Sequence, residues 1–452
     1  MTIFLILILA MFLRFWSLGQ NPPALSWDEA ALGYNAYSLG IDGRDEFGRA
    51  WPLDYLESFG DFKPPLYAYL TILPVKLFGL NEFSVRFASA FFGTLTVLLT
   101  FYLGKELFRP RGGNIPTPRG RLGSGIPPIR DRLKISIPDR SFRIGGIGEE
   151  RLPLMASFLL AISPWHIMLS RAAFEANVAS FFLIAGVFFF LKGVRGKGSF
   201  LVLAATAWAL SFYTFNTGRI VAPLLALGLA LGFFKKLVNQ KKWLVVSLAV
   251  GVLLLLPLLP FLLTPQSRLR FHEVNIFSDS SVVLLANQEM ENDNWAWWSR
   301  LIHNRRWGYA REFLRHYFDH FNPAFLFIKG DGNPKFSTQD VGELYLWELP
   351  FLILGALILF RRKPAHWWII PFWLLIGILP AATARETPHA LRIESTLPTW
   401  QIITAVGVVG FWQWTKRCRP TIQRWLRLAA GGLLLINVVY FLHGYWVHYP
   451  IE

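Results

Sequence analysis

Long apolar stretches recur along the whole chain, and they constrain the fold more than any other feature of the sequence. The core of a bilayer is about 30 Å thick, so an α-helix needs roughly 20 apolar residues to cross it. Eleven stretches approach this requirement: about 1–18, 87–107, 152–170, 178–192, 199–215, 219–234, 243–263, 346–360, 367–382, 397–414 and 427–447. The sequence therefore predicts an all-α polytopic membrane protein with about 11 transmembrane helices.

The overall composition agrees with a membrane protein and excludes several other classes. Charged residues make up 16% of the chain and hydrophobic residues 53%, whereas a soluble globular protein usually carries about 25% charge. The single cysteine, Cys418, excludes a disulfide framework and a Cys-rich metal centre. The net charge of +16 is of the kind found in nucleic-acid binders. Because the basic residues lie between the apolar stretches, however, we expect no nucleic-acid partner.

The charges of the connecting loops divide them into two alternating sets. One set holds 25 Lys and Arg residues against 4 acids and comprises 109–151, 192–198, 235–242, 361–366 and 415–427. The other set holds 17 Lys and Arg residues against 21 acids and comprises 14–63, 171–177, 216–219, 265–346 and 383–394. Cytoplasmic loops are enriched in Lys and Arg, so we expect the first set inside and the second outside. The first apolar stretch lacks the basic start and the cleavage site of a signal peptide, so we expect a retained helix.

We expect three regions along the chain: a transmembrane module over 1–264, a long outer loop over 265–346, and C-terminal transmembrane helices over 347–452. In the first region, 14–86 forms the acid-rich outer loop that we expect to be catalytic, and 109–151 is rich in Pro, Gly and Arg. This second composition predicts a disordered cytoplasmic loop beside anionic lipid headgroups, with RNA binding as the less favoured alternative.

Two adjacent acids stand out in the first outer loop. Asp28 and Glu29 follow Ser26, which predicts a helix with carboxylates in its first turn, where the helix dipole favours them. A capped helix at the membrane interface would explain an isolated pair of this kind. This pair is followed, however, by Lys63 and by Arg86 at the outer mouth of the second span. A cation beside an acid suits a reaction that frees a phosphate from a lipid and deprotonates a hydroxyl.

Four short motifs share this side of the membrane: Leu13-Arg14, Trp27-Asp28-Glu29-Ala30, Lys63-Pro64-Pro65-Leu66 and Phe83-Ser84-Val85-Arg86-Phe87-Ala88-Ser89-Ala90. They resemble the N-terminal half of the protein O-mannosyltransferase and aminoarabinose transferase superfamily, which are integral membrane glycosyltransferases of the GT-C fold. The resemblance covers about 1–110 and weakens from 150 to 260. It returns in a late outer loop, 385–392, which is similar to the Pro-His…Arg stretch of bacterial members.

The resemblance implies a GT-C bundle that works as an inverting glycosyltransferase. Its donor would be a sugar on polyprenyl phosphate, and its acceptor a hydroxyl of a glycolipid, a protein or a cell-envelope glycan. Asp28 would be the general base or the carboxylate that orients the acceptor, with Glu29 as its neighbour in the Asp-Glu motif. Lys63 and Arg86 would neutralise the donor phosphate, and Arg392 is a weaker candidate for the same task.

Further residues are candidates for an acceptor or sugar pocket, namely Tyr67, Asp61, His389 and Asp331. Relatives often carry an acid directly before the lysine, whereas here Phe62 intervenes and Asp61 lies two positions back. That departure leaves the role of Asp61 open. We assign no metal ligand and no certain cofactor, although the acids of the first outer loop leave a divalent metal open.

The long outer loop allows two interpretations. Glu312, His316 and His320 are spaced so that they share one helix face, which permits a metal site. Many aromatic residues surround them: Trp295, Trp297, Trp298, Trp307, Tyr309, Phe313 and Tyr317. Indole and phenol rings favour the boundary between lipid and water, so the preferred interpretation is a set of helices lying in the interface.

Two short outer turns complete the candidate site. Arg171 and Glu175 lie in one of them, and 216–219 forms the next. They are expected either to rim the same outward cavity or, for Arg171 and Glu175, to form a simple pair at the i,i+4 spacing. The two interpretations are left open.

The leading hypothesis is a glycosyltransferase in the plasma membrane, surrounded by membrane lipids and active on the extracytoplasmic side. A polytopic transporter or lipid flippase is the main alternative, but it predicts ionisable residues near the centres of spans, which 219–263 and 346–382 lack. A scaffold without a reaction would leave the cluster of acids and bases unexplained. The sequence does not identify the sugar or the acceptor.

Overall fold

The computed structural model describes residues 2–109 and 150–451 of the chain. The loop predicted to be disordered, 109–151, falls almost wholly between these ranges and so lies outside the described residues. Helices form most of the regular structure in both ranges. Those of the first are α1 (Ile3–Phe15), α2 (Trp27–Asp42), α3 (Leu66–Phe78) and α4 (Glu82–Leu107).

After residue 150 the chain continues as a series of helices that follow the predicted apolar stretches. They are α5 (Arg151–Ile162), α6 (Pro164–Arg171), α7 (Glu175–Gly193), α8 (Phe200–Phe212), α9 (Gly218–Gly232), α10 (Phe234–Val238), α11 (Lys241–Leu255) and α12 (Leu259–Leu262). The long outer segment contains α13 (Gln266–Val274), α14 (Ser280–Asn292), α15 (Ser299–Ile302) and α16 (Arg305–Asp319). The C-terminal part contains α17 (Glu348–Arg362), α18 (Ile369–Ala382), α19 (Thr399–Thr415) and α20 (Pro420–His443).

Several of these helices have the length and composition of membrane spans. Among the described residues, four segments qualify by themselves: Glu82–Leu107, Glu175–Gly193, Lys241–Leu262 and Pro420–His448. A further five apolar helices, including α1 and α8, are shorter. Each predicted apolar stretch is therefore helical, while the number of 11 transmembrane helices stays a prediction.

The predicted stretch 152–170 is not one straight helix. It is divided into α5 and α6, which meet at an angle of 56°. Pro164 causes this break because proline lacks a backbone N–H and disfavours a helical conformation in the residue before it. Ser163 then begins α6, and its side chain accepts from the backbone N–H of His166.

The helical interior is held by close contacts of small residues. Helices α17 and α19 pack side by side, and Gly355 of α17 faces Gly407 of α19. A Cβ atom at Gly355 would collide with the backbone carbonyl of Ile403, and one at Gly407 with that of Phe351. Because only glycine permits this separation of two backbones, these positions set how closely the two helices approach.

Among the described residues, the only sheet is a small hairpin in the first outer loop. Strands β1 (Leu56–Ser58) and β2 (Asp61–Lys63) pair in antiparallel register, with Leu56 opposite Lys63. Phe59 and Gly60 form the turn, and both have positive φ angles, of 51° and 75°. Such two-residue turns match the twist of paired strands, so the hairpin presents Lys63 from a defined position.

The long outer segment consists of helices with exposed apolar rings. Trp297, Trp307 and Phe318 expose 78%, 66% and 63% of their surface. Large apolar side chains of this kind are costly in water and favourable at a lipid boundary. This is the arrangement that the interfacial interpretation expects.

The two histidines of the possible metal site are bonded to backbone carbonyl groups. His316 bonds the carbonyl of Ala384, and His320 bonds the carbonyl of His316. No group of three or more metal-ligating side chains occurs in the described ranges.

Candidate active site

The two adjacent acids of α2 have opposite environments. Ser26 begins the helix as the sequence predicts: its hydroxyl accepts from the N–H of Glu29, and the Glu29 carboxylate accepts from the N–H of Ser26 at 2.9 Å. The side chain of Glu29 is thereby turned into the protein. The side chain of Asp28 stays 48% exposed and accepts a hydrogen bond from Lys63. The motif thus separates into a buried acid and an accessible one.

Glu29 anchors the loop that leads into α2. Its Oε1 accepts from Nε of Arg86 at 3.0 Å and from the backbone N–H of Ala173 at 2.9 Å. The guanidinium of Arg86 also donates to three carbonyl groups, those of Leu18, Pro22 and Ala24. Each partner satisfies a charge or a polar group that would be costly to bury alone.

This geometry bears directly on the expectation that Arg86 neutralises the donor phosphate. That role requires an accessible guanidinium, whereas Arg86 is 0% exposed and is bonded to Glu29 and three carbonyl groups. Arg86 and Glu29 therefore connect α4, α2 and the segment before α7. In this structure the pair holds the loop in shape, and the Arg86 guanidinium is buried among its partners.

Lys63 is the cation nearest to the accessible acid. The β-hairpin carries it to Asp28, which lies 35 residues earlier in the chain. Its side chain is only 11% exposed, so the ammonium group lies in a partly enclosed position. Glu175, the first residue of α7, lies within electrostatic range of Lys63, Asp28 and Asp61. These residues bring one cation and several acids together at the beginning of α7.

A second cation, Arg219, approaches the same region from the turn between α8 and α9. The turn is tied to the lysine motif because the N–H of Leu66 donates to the carbonyl of Tyr213 at 2.9 Å. The guanidinium of Arg219 stacks on the ring of Phe261, which also contacts Phe62. Nη2 of Arg219 is buried and has no hydrogen-bond partner among the described residues. A buried donor without a partner is costly, so this group is a candidate for binding an anion.

Arg392 reaches the first turns of α7 from the late outer loop. It lines a small cavity together with Ala176 and Ser180 of α7 and with Gly218, the neighbour of Arg219. It also donates to the carbonyl of Glu386 at 3.2 Å. Lys63 and Arg392 thus approach the first turns of α7 from separate parts of the chain, and Arg219 follows Gly218 in the adjoining turn.

Asp331 and His389 form a second cluster beside Arg392. The carboxylate of Asp331 accepts from the backbone N–H groups of Ala390 at 2.7 Å and Asn333 at 2.8 Å. Burial raises the pKa of Asp331, and burial together with the charge of Arg392 lowers the pKa of His389 to about 3. His389 is therefore neutral near pH 7. Asp331 joins two outer loops, which is a larger role than the turn that the sequence indicates.

The two clusters are linked by aromatic contacts. The ring of Phe336 packs against Phe174 at 5.4 Å and against His389 at 4.8 Å, and Phe174 directly precedes Glu175. Lys335 lies over the ring of Trp27, with 5.7 Å from Nζ to the ring centroid. The loop around Asp331 therefore closes over the region of Asp28.

The two remaining predicted residues have different environments. Tyr67 is completely buried, and its hydroxyl donates to the carbonyl of Val85 at 3.0 Å. Asp61 is partly buried in the hairpin, where its carboxylate accepts from the N–H of Phe62 at 2.8 Å. Asp61 remains a candidate pocket residue, whereas Tyr67 contributes to the packing of α3 against α4.

Arg171 follows neither of the two interpretations that the sequence leaves open. Its guanidinium is fully buried and donates to the hydroxyl of Tyr445 and to the carbonyls of Leu13, Ser17 and Asn21. The break between α6 and α7 separates it from Glu175, so one continuous helix face does not carry both. Arg171 instead holds the end of α1.

The N-terminal part of the chain matches a known family. The model of the dolichyl-phosphate-mannose-protein mannosyltransferase family matches residues 4–111. These residues include Asp28, Glu29, Lys63 and Arg86. A comparison with curated proteins found no match.

Solved structures share the architecture of the chain at low sequence identity. ArnT from Cupriavidus metallidurans in the apo state is 15% identical with a TM-score of 0.50, and the alignment covers 96% of this chain and 61% of ArnT. ArnT bound to undecaprenyl phosphate is 14% identical with a TM-score of 0.50, and the alignment covers 98% of this chain and 70% of that one. The oligosaccharyltransferase of Archaeoglobus fulgidus, tethered to an acceptor peptide, is 14% identical with a TM-score of 0.52. The alignment covers 98% of this chain and 54% of the oligosaccharyltransferase.

At this identity the structural matches establish the fold alone, and the family match concerns residues 4–111. The chain spans 61% of the length of apo ArnT, so the activity of that whole protein does not transfer with the fold. The family match and the shared architecture together indicate a multi-pass membrane glycosyltransferase of the GT-C fold that resembles the protein O-mannosyltransferase and aminoarabinose transferase superfamily.

Proposed function

We propose that this protein transfers a sugar from a polyprenyl-phosphate donor to a hydroxyl group of an acceptor at the outer face of the plasma membrane. One observation carries the proposal: an accessible carboxylate, Asp28, is bonded directly to a partly enclosed ammonium group, Lys63. This pair combines the base that a hydroxyl acceptor needs with the cation that a departing phosphate needs. The ArnT structure bound to undecaprenyl phosphate supports a donor of that class for a protein of this fold.

Asp28 is proposed as the general base. Its exposed carboxylate takes the proton of the acceptor hydroxyl while the hydroxyl oxygen attacks the anomeric carbon of the donor sugar. The bond from that carbon to the phosphate oxygen breaks in the same step, so the configuration inverts. No covalent intermediate with the protein is needed, and the proton ends on Asp28.

Lys63 is proposed to stabilise the leaving group. The phosphodiester of the donor leaves as a phosphate monoester with additional negative charge, and a cation in a partly enclosed position stabilises that charge strongly. A phosphate that binds Lys63 competes with Asp28 for the ammonium group. Donor binding thus weakens the ion pair and releases the Asp28 carboxylate for proton transfer.

Arg219 and Arg392 are proposed as the further cations of the donor site. Arg219 offers a buried N–H group without a partner, and Arg392 lies against the same turns of α7. They take over the task that the sequence assigns to Arg86. Asp331 and His389 hold the loop that covers this region, and they are proposed to shape the sugar or acceptor pocket.

The outward orientation is proposed from the charges of the loops. The loops that carry Asp28, Lys63, Arg219 and Arg392 belong to the set in which acids outnumber Lys and Arg, 21 to 17. Cytoplasmic loops usually have the opposite balance. The acceptor is proposed only as a molecule with a hydroxyl group, because none of the contacts described above selects among a glycolipid, a protein and a polysaccharide.

The test uses the full-length protein and a panel of undecaprenyl-phosphate sugars labelled in the sugar. Asp28→Asn is expected to lower the turnover number about a hundredfold or more, which is the usual contribution of a general base. Binding of undecaprenyl phosphate is expected to be unchanged or tighter, because Lys63 loses its competing partner. Asp42→Asn is the matched control, since Asp42 is an exposed acid at the other end of α2. Full activity of a normally folded Asp28→Asn variant would falsify the assignment of the base.

A further inference from the structure

A cavity of about 430 Å³ lies between α1, α5 and α19, at the end of these helices that is remote from Asp28. Helix α1 contributes Ile6 near its beginning, whereas its other end is bonded to Arg171 through the carbonyl of Leu13. Helix α5 begins at the cavity with Arg151 and runs toward the buried arginines. The 13 residues of α1 correspond to a distance of about 20 Å. The cavity is therefore separate from the candidate active site.

The lining of the cavity changes along the helix axes. Its deeper part is formed by apolar side chains: Ile6, Leu154, Met155, Phe158, Val408 and Val409. Its outer part is formed by Arg151 at the start of α5 and by Trp412, Gln413 and Lys416 at the end of α19. A molecule that fits both parts has an apolar body and an anionic or strongly polar end.

The outer part has an excess of hydrogen-bond donors and positive charge. Arg151 and Lys416 are exposed, and none of the described residues that line the cavity is acidic. The neighbouring acid, Glu150, is bonded to Lys105 at 2.9 Å. The side-chain nitrogen of Gln413 is buried and has no hydrogen-bond partner in the described ranges. These groups favour an anion with several acceptor oxygens, such as a phosphate ester.

Trp412 gives this rim a fixed shape. Its ring is covered by the guanidinium of Arg427, with 4.4 Å from Cζ to the ring centroid. Arg427 also donates to the carbonyl of Trp412 at 3.1 Å and to the hydroxyl of Thr415 at 3.0 Å. A tryptophan held beside cations at the end of an apolar helix is typical of the level of lipid headgroups.

We propose that this cavity binds one anionic glycerophospholipid from the leaflet opposite to the candidate active site. The acyl chains lie against the apolar side chains of α5 and α19, and the phosphate group lies between Arg151 and Lys416. Basic pockets between membrane helices are suited to anionic headgroups because charge and apolar packing act together. The bound lipid holds the start of α5 against the end of α19 and so supports the helix bundle from the side remote from catalysis.

The position of the cavity distinguishes this lipid from the sugar donor. A polyprenyl-phosphate donor must bring its phosphate to Lys63, whereas the cations of the cavity lie at the other end of α1 and α5. The proposal therefore does not depend on the proposed function.

The test is native mass spectrometry of the full-length protein taken from nanodiscs of equal parts phosphatidylglycerol and phosphatidylcholine. The wild-type protein is expected to retain one phosphatidylglycerol. The double variant Arg151→Gln/Lys416→Gln is expected to retain at most about one tenth as much phosphatidylglycerol, because each cation near a lipid surface contributes substantially to anion binding. The control Lys235→Gln/Arg361→Gln removes the same charge from two exposed residues that do not line the cavity, and it should retain lipid like the wild type.

A second variant tests the apolar part without a change of charge. Val409→Phe fills the deeper half of the cavity and is expected to reduce the retained phosphatidylglycerol as well. Equal loss of lipid in the control double variant would overturn the proposed position. Equal retention of phosphatidylcholine and phosphatidylglycerol by the wild type would overturn the claim that an anionic headgroup is recognised. Displacement of the lipid by inorganic phosphate alone would show that only the rim binds, and it would overturn the role of the acyl chains.

Discussion

Glu29 and Arg86 form an ion pair of 3.0 Å in which neither side chain is more than 4% exposed, although 57 residues separate them in the chain. The pair is complete in itself, because Arg86 donates to three further carbonyl groups and Glu29 accepts from two backbone N–H groups. The pair joins α2, which carries Glu29, to α4, which carries Arg86. Asp28, which forms the accessible pair with Lys63, is the sequence neighbour of Glu29 and begins the same helix.

Removing one partner of the buried pair is expected to affect folding before it affects donor binding. Arg86→Gln leaves the Glu29 carboxylate buried and partly uncompensated, which costs about 3–5 kcal/mol in comparable cases. We expect a large drop in the yield of folded protein and in its melting temperature in detergent. Arg44→Gln, at an exposed position of the same loop, serves as the control. A variant of normal stability with weakened binding of undecaprenyl phosphate would contradict the assignment and return Arg86 to the donor site.

Lys63 is expected to act on the donor and not on stability. Lys63→Gln removes a charge-assisted hydrogen bond to the phosphate, so binding of undecaprenyl phosphate should weaken about ten- to a hundredfold. Lys63→Arg should restore part of the affinity because it restores the charge. Lys76→Gln, on the exposed side of α3, is the control for the loss of one positive charge near the membrane. Unchanged affinity in a folded Lys63→Gln protein would exclude Lys63 from the donor site.

Stability is expected to fall on acidification because two outer-loop histidines are buried in the neutral state. Burial lowers the pKa of His389 from its ordinary value of 6.5 to about 3, and that of His320 to about 4. Between these values and 6.5 the unfolded chain binds protons that the folded chain does not bind, so unfolding is favoured as the pH falls. At about pH 5 the loss is about 2 kcal/mol for His389.

The measurement is the melting temperature of the protein between about pH 7.5 and pH 5. His389→Gln is expected to reduce the pH dependence, whereas His272→Gln, at an exposed position, should leave it as in the wild type. An identical pH dependence in wild type and His389→Gln would show that His389 does not contribute.

The contact between α17 and α19 makes a prediction about packing. Gly355→Ala places a methyl group against the carbonyl of Ile403, so we expect a loss of about 1–3 kcal/mol in stability as the helices separate. Gly431→Ala in α20 is the matched control, because a Cβ at that position has no neighbour within 4 Å. The two variants are compared by thermal unfolding in the same detergent. Equal stability of both would contradict the close approach of the two helices.

Much of the fold was accessible from the sequence because it follows from local patterns. The apolar stretches predict helices, and the structure has a helix in each of them. Ser26 with Glu29 predicts the start of α2, and the reciprocal capping hydrogen bonds confirm it. The break before Pro164 could also have been predicted, since proline limits the residue before it. The hairpin was harder to predict, because its turn residues Phe59 and Gly60 are not flanked by a strong alternating pattern.

The site was predicted less completely, because burial and partner choice depend on distant residues. Asp28 and Glu29 are neighbours in the sequence and look equivalent there, yet the helix directs one to the solvent and the other to Arg86. Arg219 resembles an ordinary basic residue of a loop. Only the tertiary structure shows that one of its nitrogens is buried without a hydrogen-bond partner and that its guanidinium lies over the ring of Phe261.

The sequence by itself determined that the chain is a polytopic helical membrane protein and that acids and cations collect in one of the two alternating sets of loops. Hydropathy and charge act through the bilayer and the local helix, so they can be read without knowledge of long-range contacts. Only the tertiary structure decided which charges are structural and which are accessible. A charged side chain in a membrane protein is either satisfied inside or available for a ligand, and residues far apart in the chain decide between these two states.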